Sequence, residues 1–462
     1  MNKYTIPSEF FFPLHHPRPR FKNNVEEVLG YVSFGVVDIG EMPTKSFNQN
    51  LDAYIRSYGS NVASTDKTIK NWRTEIGVLF GLYIKEDENC RASAQCEDLA
   101  DNVNLPRFFK GIMASFQYPA GFLKPQEIVK AVNHGVKFHP GRWLAAYFLR
   151  PNCPYLTKEE FCHCVMNDLR VTRDGEPITK TIKRIEDNRK SGMKYDSRGD
   201  VVRTAGDVLD YMYLAGFLDR DIKGRFTQRQ GTVNAFNILK RSKCFFHEYN
   251  DYATDNAKAS SLKYDWLLYV ELQYKDFIKR IDNPEFGKPL VDSKSEANSV
   301  KASVGEQTLP DSDDTAEIGR RGEQLALQHE VLRLKKDGRS DLVHLVKQMP
   351  THLAVGFDIK SLESDTEEDR FIEVKTCLTR QRVKFNNFHL TPNEWRVAES
   401  HGEKYCVYRI AIDDEGVQLF VIRNPIQQFR DRAIRLSFRH SVQLNFTDKA
   451  GEFQELLCAS TK

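Results

Sequence analysis

The sequence predicts a multidomain chain, a mainly α-helical N-terminal region joined to a smaller α/β domain, on three observations. Residues 283–315 are loaded with Ser, Asp, Glu, Lys and Pro and are too polar to bury a core, so they read as a flexible linker. Before them, apolar residues recur mostly at helical spacing. After them, one helical stripe gives way to short segments in which apolar and charged residues alternate. The expected organisation is residues 1–282 as a helical region, 283–315 as linker and 316–462 as the α/β domain.

Bulk properties narrow the class. At 462 residues the chain can bury two or three cores. Hydrophobic residues at 40% and charged residues at 28% fit a soluble globular protein, and no apolar run is long enough to span a bilayer. The opening MNKYTIPSEFFFPLHH is interrupted by Pro7, Glu9 and Pro13, which predicts no signal peptide. Nine scattered cysteines without a secretory segment then predict reduced thiols and a cytoplasmic location. Cys162-His163-Cys164 lacks the second pair that a zinc site needs, and Cys153 does not supply it; half-buried or buried thiols around a helix are expected. A net charge of +3 neither demands nor excludes a nucleic-acid partner, but a basic stretch from Lys180 to Arg241 is compatible with local phosphate binding.

In the N-terminal region, Ile69, Trp72, Ile76 and Leu79/Phe80 predict an amphipathic helix over Thr68 to Tyr83. The aromatic segments 107–123 and 264–278 offer rings for base stacking or for a core, and their helical periodicity favours the core. The basic run 182–200 reads as a solvated face or loop. Val208, Leu209, Met212 and Leu214 mark a helix that Gly216 can end, before Phe217-Leu218, a polar turn and Arg225-Phe226-Thr227. Helix, strand, turn and strand in this order suggest a winged-helix-like module, whose wing would present Arg220, Lys223, Arg225 and Arg229 to DNA phosphates. A charged hairpin is also a common interaction module that never meets DNA.

In the C-terminal domain, Ile318, Leu325, Val331/Leu332 and Leu334 predict a helix that stops at Gly338, with Glu323 and Glu330 on one face. In the next segment Phe357 and Ile359 alternate with Asp358 and Lys360. In RFIEVKT, Phe371, Glu373 and Lys375 share a face opposite Ile372 and Val374, and the polar connection between the segments has hairpin length. Thr391, Pro392 and Glu394 then predict a capped helix ending at Gly402, followed by strands over YCVYRIAI and VQLFVI.

Two adjacent strands that each offer an acid can bring Asp358 and Glu373 within reach of one hard divalent cation, Mg²⁺ or Mn²⁺, with the Val374 carbonyl as a further ligand. Such an ion polarises a scissile phosphate and activates water, while Lys375 would orient or help deprotonate that water and offset phosphoryl charge. The spacing alone is weak, since acids and lysines are common on exposed hairpins; the flanking helices give it weight.

With those residues in place, the segment from about Ile318 to Arg430 resembles the nuclease-like domain at the C-terminus of the plant NO VEIN protein and of many bacterial restriction and defence proteins. The features are Gly322-Glu323, Gly356-Phe357-Asp358-Ile359, Phe371 to Lys375, Leu390-Thr391, Asn393-Glu394-Trp395, Tyr405 and Tyr408. The resemblance implies the PD-(D/E)XK nuclease fold, a Mg²⁺ site at Asp358 and Glu373 with Lys375, and a supporting metal role for Glu323. Gly356-Phe357 departs from the proline that names the superfamily, at a position that varies across it, and the resemblance implies the fold without settling activity. More diffusely, NWRTEIGVLFGLY, FFKGIMASFQYP and GDVLDYMYLAGFL resemble the recognition regions of type IIS and related restriction endonucleases.

The expectation is therefore a restriction-type endonuclease acting on double-stranded DNA in phage defence, type IIS-like or modification-dependent. Double-strand cleavage would need a homodimer on DNA or successive nicks, and the resemblance to restriction systems implies a cognate methyltransferase. Two alternatives stay open: a DNA-binding adaptor with an inert nuclease-like domain, and an RNA- or structure-specific nuclease. No Walker-type loop is present, which argues against an intrinsic ATP-driven motor.

Overall fold

A computed structural model describes residues 3–19, 21, 24–242, 244–282, 315–350, 355–383, 387–438 and 442–457. The expected linker lies outside the described residues, apart from Thr315. Two compact units emerge, Met1–Ala100 with Leu105–Asp292, and Asp101–Asn104 with Ser293–Lys462. The first is mostly helical and the second is built around a sheet. Among the described residues no helix is long and apolar enough to cross a membrane.

In the first unit, α1 (Asp66–Val78) opens on Thr65, whose side chain accepts the Thr68 N–H, and buries Ile69, Trp72 and Ile76. The helix stops well short of the expected Tyr83. Gly81 turns the chain at φ +60, and Tyr83 instead starts β1 (Tyr83–Glu86), antiparallel to β2 (Asn89–Ala92). The aromatic segments pack as core. In α2 (Leu105–Ser115), Phe108, Phe109, Ile112 and Met113 are buried. A Cβ on Gly111 would lie 2.2 Å from the Tyr274 ring, so a glycine is what lets α2 approach the last long helix of the unit so closely.

The basic run is not simply solvated. Most of its first half lies in α3 (Ile178–Lys190), where Arg184 reaches Glu176 and the fully buried Asp168, and Arg189 pairs with buried Glu160 at 2.6 Å. Next come α4 (Asp200–Leu214), Gly216 at φ +71, and the hairpin of β3 (Leu218–Arg220) and β4 (Phe226–Gln228). The unit closes on α5 (Lys263–Asp282), which buries Trp266, Leu267, Val270, Tyr274, Phe277 and Ile278.

The second unit begins with α6 (Thr315–Lys336). Its buried stripe is Ile318, Gly322, Ala326, His329, Glu330 and Leu334, so small and polar residues hold positions where Leu325 and Val331/Leu332 were expected. A six-stranded sheet follows, ordered β13 (Glu452–Gln454), β10 (Gly416–Arg423), β9 (Tyr405–Asp413), β7 (Asp369–Leu378), β6 (Ile359–Leu362), β5 (Lys347–Gln348). Among the described strands of this sheet only the β9–β7 pair is parallel, and the chain crosses between those strands through β8 (Asn387–Leu390) and α7 (Pro392–His401). β8 joins a smaller sheet with β11 (Ile434–Phe438) and β12 (Val442–Phe446).

Strand alternation sorts the apolar side chains into two cores. Phe371, Leu390, Ala398, Tyr405, Val407 and Phe420 form one, with α7 and the smaller sheet. Ile318, Ala326, Ile359, Ile372, Val374, Tyr408 and Val421 form the other, with α6. Gly322 sets the helix-to-sheet distance, because a Cβ there would meet Thr376 Oγ1 at 1.8 Å.

Candidate active site

The acids meet where β6 begins against β7. The last paired residues are Ile359 and Ile372; one step further the Asp358 N–H still donates to the Ile372 carbonyl at 2.9 Å. Beyond that point the Asp358 side chain takes over, its Oδ2 accepting the Val374 N–H at 2.8 Å. The pleat breaks here. Phe357 packs with the Phe371 core whereas Ile359 lies in the opposite one, so the two do not share a side as alternation predicted. Gly356, at φ +81, makes the preceding bend, and its carbonyl accepts from Tyr405 OH at 2.9 Å.

On β7 the alternation holds. Phe371 faces the α7 core while Ile372 and Val374 face the α6 core, which leaves Glu373 and Lys375 on the α7 side. Lys375 Nζ lies 2.6 Å from Glu373 Oε1 and 2.9 Å from Glu394 Oε2. Glu394 comes from the first turn of α7, fixed by the capping box in which Thr391 Oγ1 accepts the Glu394 N–H and Glu394 Oε2 accepts the Thr391 N–H.

Two carboxylates thus share one ammonium with Asp358 close enough to feel its charge, and the electrostatics follow. Burial pushes the Asp358 carboxyl up to about 6, with Glu323 and Glu394 adding repulsion against the pull of the Val374 N–H and Lys375. Glu373, 4% exposed, is pushed up to about 8 by burial and by Asp358 and Glu394, despite Lys375. Burial disfavours the Lys375 charge, but Glu373 and Glu394 outweigh it and hold the ammonium above the usual lysine range. The Tyr405 hydroxyl is likewise pushed up, by burial and then by the three acids.

This donor set suits a hard divalent cation. Buried Glu373 and half-buried Asp358, both pushed above the ordinary carboxylate range by burial and by neighbouring acids, sit beside an edge to which Val374 turns its N–H and carbonyl together. Mg²⁺ is held by one or two carboxylates plus waters rather than by a full protein cage. Among the described residues no three His, Cys, Asp or Glu side chains form a ready-made metal cluster. Glu323 is near enough to repel the Asp358 charge, and its Oε2 accepts from Gln348 Nε2 at 2.7 Å.

Two groups escaped the sequence reading. Glu394 was legible only as a helix cap, although its place in the Asn393-Glu394-Trp395 motif was a signal. Glu330 is sealed among Arg333 (2.8 Å), Tyr408 OH (2.5 Å) and Arg370 (3.9 Å); the first pairing was available as an acid and arginine three apart on a helix.

In the first unit the three hairpin arginines already have partners. Arg220 pairs with Asp210 (3.0 Å), Arg225 with Asp221 (2.6 Å) and Arg229 with Asp219 (3.0 Å). Asp221 also organises the tip by accepting the Lys223 and Arg225 N–H groups, and fully exposed Ile222 lies between Asp221 and Lys223.

Comparison with known proteins divides the chain along similar lines. Residues 322–422 match the family model for the C-terminal part of the protein NO VEIN. NO VEIN of Arabidopsis thaliana is 27% identical over 120 residues, 26% of this chain, and the chain spans only 4% of that relative's length. A crystal structure of the BpuJ1 endonuclease binding domain in complex with pyrene- and phenanthrene-modified DNA shares the fold of 56% of this chain, with a TM-score of 0.53, 22% identity and 98% of that domain covered. Residues 4–267, more than half of the chain, match the family model for the N-terminal part of the restriction endonuclease BpuJI, and the protein belongs to that family.

Proposed function

We propose that the protein is a restriction-type DNA endonuclease in which the first unit recognises DNA and the second, a PD-(D/E)XK domain, hydrolyses phosphodiester bonds with Mg²⁺ or Mn²⁺. The carrying observation is the convergence of Asp358, Glu373 and Lys375 at one strand end, in a chain whose larger part belongs to a restriction endonuclease family. The solved BpuJ1 binding domain holds DNA, which supports DNA as the partner of the helical unit, with α4 and the β3–β4 hairpin acting as a winged helix. Arg220, Lys223, Arg225 and Arg229 then supply phosphate contacts. Exposed ion pairs are worth only about 0–1 kcal/mol, so the arginines can exchange aspartate for phosphate at little cost.

In the second unit Asp358 and Glu373 would hold the cation, with the Val374 carbonyl as a further ligand and Glu323 in support. The bound cation would polarise the scissile phosphate and lower the pKa of a water. Lys375 works as a donor and a positive charge: Glu373 and Glu394 keep its proton on, so it orients the attacking water and offsets charge building on the phosphoryl oxygens. Buried Tyr405 ties the Gly356 bend to β9 and so fixes the approach to Asp358. One centre cuts one strand; a double-strand break requires two chains on the DNA or two successive nicks, and a cognate methyltransferase is the partner that protects the host.

Supercoiled plasmids, methylated and unmethylated, tested with Mg²⁺, Mn²⁺ and EDTA decide the matter. Wild type is expected to nick or linearise some of them in metal alone, and Lys375→Ala to bind DNA without cutting. A second reading, a DNA-binding protein with an inert second unit, is favoured by the ammonium that already sits on Glu373 Oε1. Retained DNA binding with no cleavage of any DNA or RNA substrate by wild type would establish it.

A further inference from the structure

We propose that Glu394 is a positioning residue that gives Lys375 a second seat, so that a divalent cation can take Glu373 without expelling the lysine from the site. The inference rests on the metal-centre reading above. Lys375 Nζ and an incoming cation compete for the same atom, because Glu373 Oε1 is only 2.6 Å from the ammonium. On the other side of Nζ, Glu394 Oε2 stands at 2.9 Å.

Glu394 is not a loose surface acid that fell within range. Its Oε2 is held by the Thr391 N–H at 3.0 Å, and its own N–H returns to Thr391 Oγ1 at 3.2 Å, so the cap fixes the carboxylate before lysine arrives. Its side chain is 16% exposed, which keeps the attraction to Lys375 from being fully screened by water. When the cation draws Glu373 away, the ammonium keeps one charged partner and stays beside the reaction. Without Glu394, displacing Lys375 from Glu373 strands a charge in a partly buried place, and metal binding must bear that penalty.

A helix cap alone would also explain Glu394, and one substitution separates the roles. Gln at this position completes a capping box as Glu does, so Glu394→Gln removes the charge and keeps the cap. Thr391→Ala does the reverse. Titration of Mn²⁺ alone into the full-length chain, followed by calorimetry, is expected to give a Kd weakened about tenfold in Glu394→Gln, the size usual for groups that support a metal ligand. Thr391→Ala should change Kd little while lowering the melting temperature. In a Lys375→Met background, where no ammonium competes, Glu394→Gln should have almost no effect.

An unchanged Kd in Glu394→Gln overturns the proposal, as does an equal loss with and without Lys375, which would make Glu394 act on the metal directly. If Lys375→Met does not fold, Glu394→Gln against Thr391→Ala still decides between charge and cap: equal Kd losses in the two sink the idea. Failure of wild type to take up Mn²⁺, with DNA or without, removes the metal centre itself and this inference with it.

Discussion

Burial, and after it the repulsion among three acids around the single Lys375 ammonium, makes the site sensitive to pH. A carboxyl whose folded pKa exceeds its unfolded value binds more protons in the folded chain, so stability falls as pH rises between the two values. For Glu373, pushed up to about 8, the window runs from the ordinary carboxylate range to about 8; for Asp358 it ends near 6. In EDTA the melting temperature of wild type is therefore expected to drop between pH 5.5 and 8.5 by more than that of Glu373→Gln, and Mn²⁺ should restore more stability at pH 8.5 than at 5.5. Identical profiles for the two proteins would contradict the account. Glu330 behaves oppositely: burial would push it up, but Arg370, Arg333 and Tyr408 hold it at about 2. Glu330→Gln leaves buried guanidinium charge unmatched and is expected to lose about 3–5 kcal/mol in urea unfolding. Strand alternation is a short-range rule, and it placed Glu373 and Lys375 on one side of β7 just as strand pairing set Asp358 beside them. The break in the pleat at Asp358 was not legible, since it follows from that side chain replacing a strand partner of Val374, sixteen positions away.

The capped helix α7 and the close contact of α6 with β7 show which elements a sequence discloses. Thr391, Pro392, Glu394 and Gly402 gave both ends of α7, because capping is chemistry among near neighbours. The end of α1 was lost for the opposite reason: its apolar stripe continues past Val78, and only the glycine-induced turn reveals that Leu82 and Ile84 serve a strand side. On α6 the buried stripe includes Gly322 and Glu330, which no hydrophobic pattern selects. Gly322→Ala would drive a methyl into Thr376 and is expected to destabilise the chain by about 1–3 kcal/mol, as overpacking does. Thr376→Ala should recover part of that loss. No recovery in the double variant would place the cost elsewhere, and calorimetric melting of the three proteins tests it.

Across the whole molecule the net charge of +3 hides how the cations are distributed. At the hairpin three arginines already face aspartates, whereas Lys223 stands at the exposed tip beside Ile222. Lys223→Ala in the full chain is expected to weaken duplex binding several-fold and to flatten the salt dependence by about one phosphate contact, without sequence preference. Gel shifts over a salt series provide the check; an unchanged slope would remove the hairpin from the DNA interface. The recognition role proposed for the helical unit was the faintest part of the sequence. A helical core advertises itself by periodicity, but base contacts depend on a few side chains with no spacing rule.

The hydrogen bond from the Val374 N–H to Asp358 turns one backbone amide into a gauge of the site. Any event that alters the Asp358 carboxylate, whether protonation, cation uptake or substrate arrival, must register at a single valine nitrogen. Selective ¹⁵N-valine labelling would therefore let the occupancy of the centre be followed spectroscopically in the intact chain, with no substrate turned over.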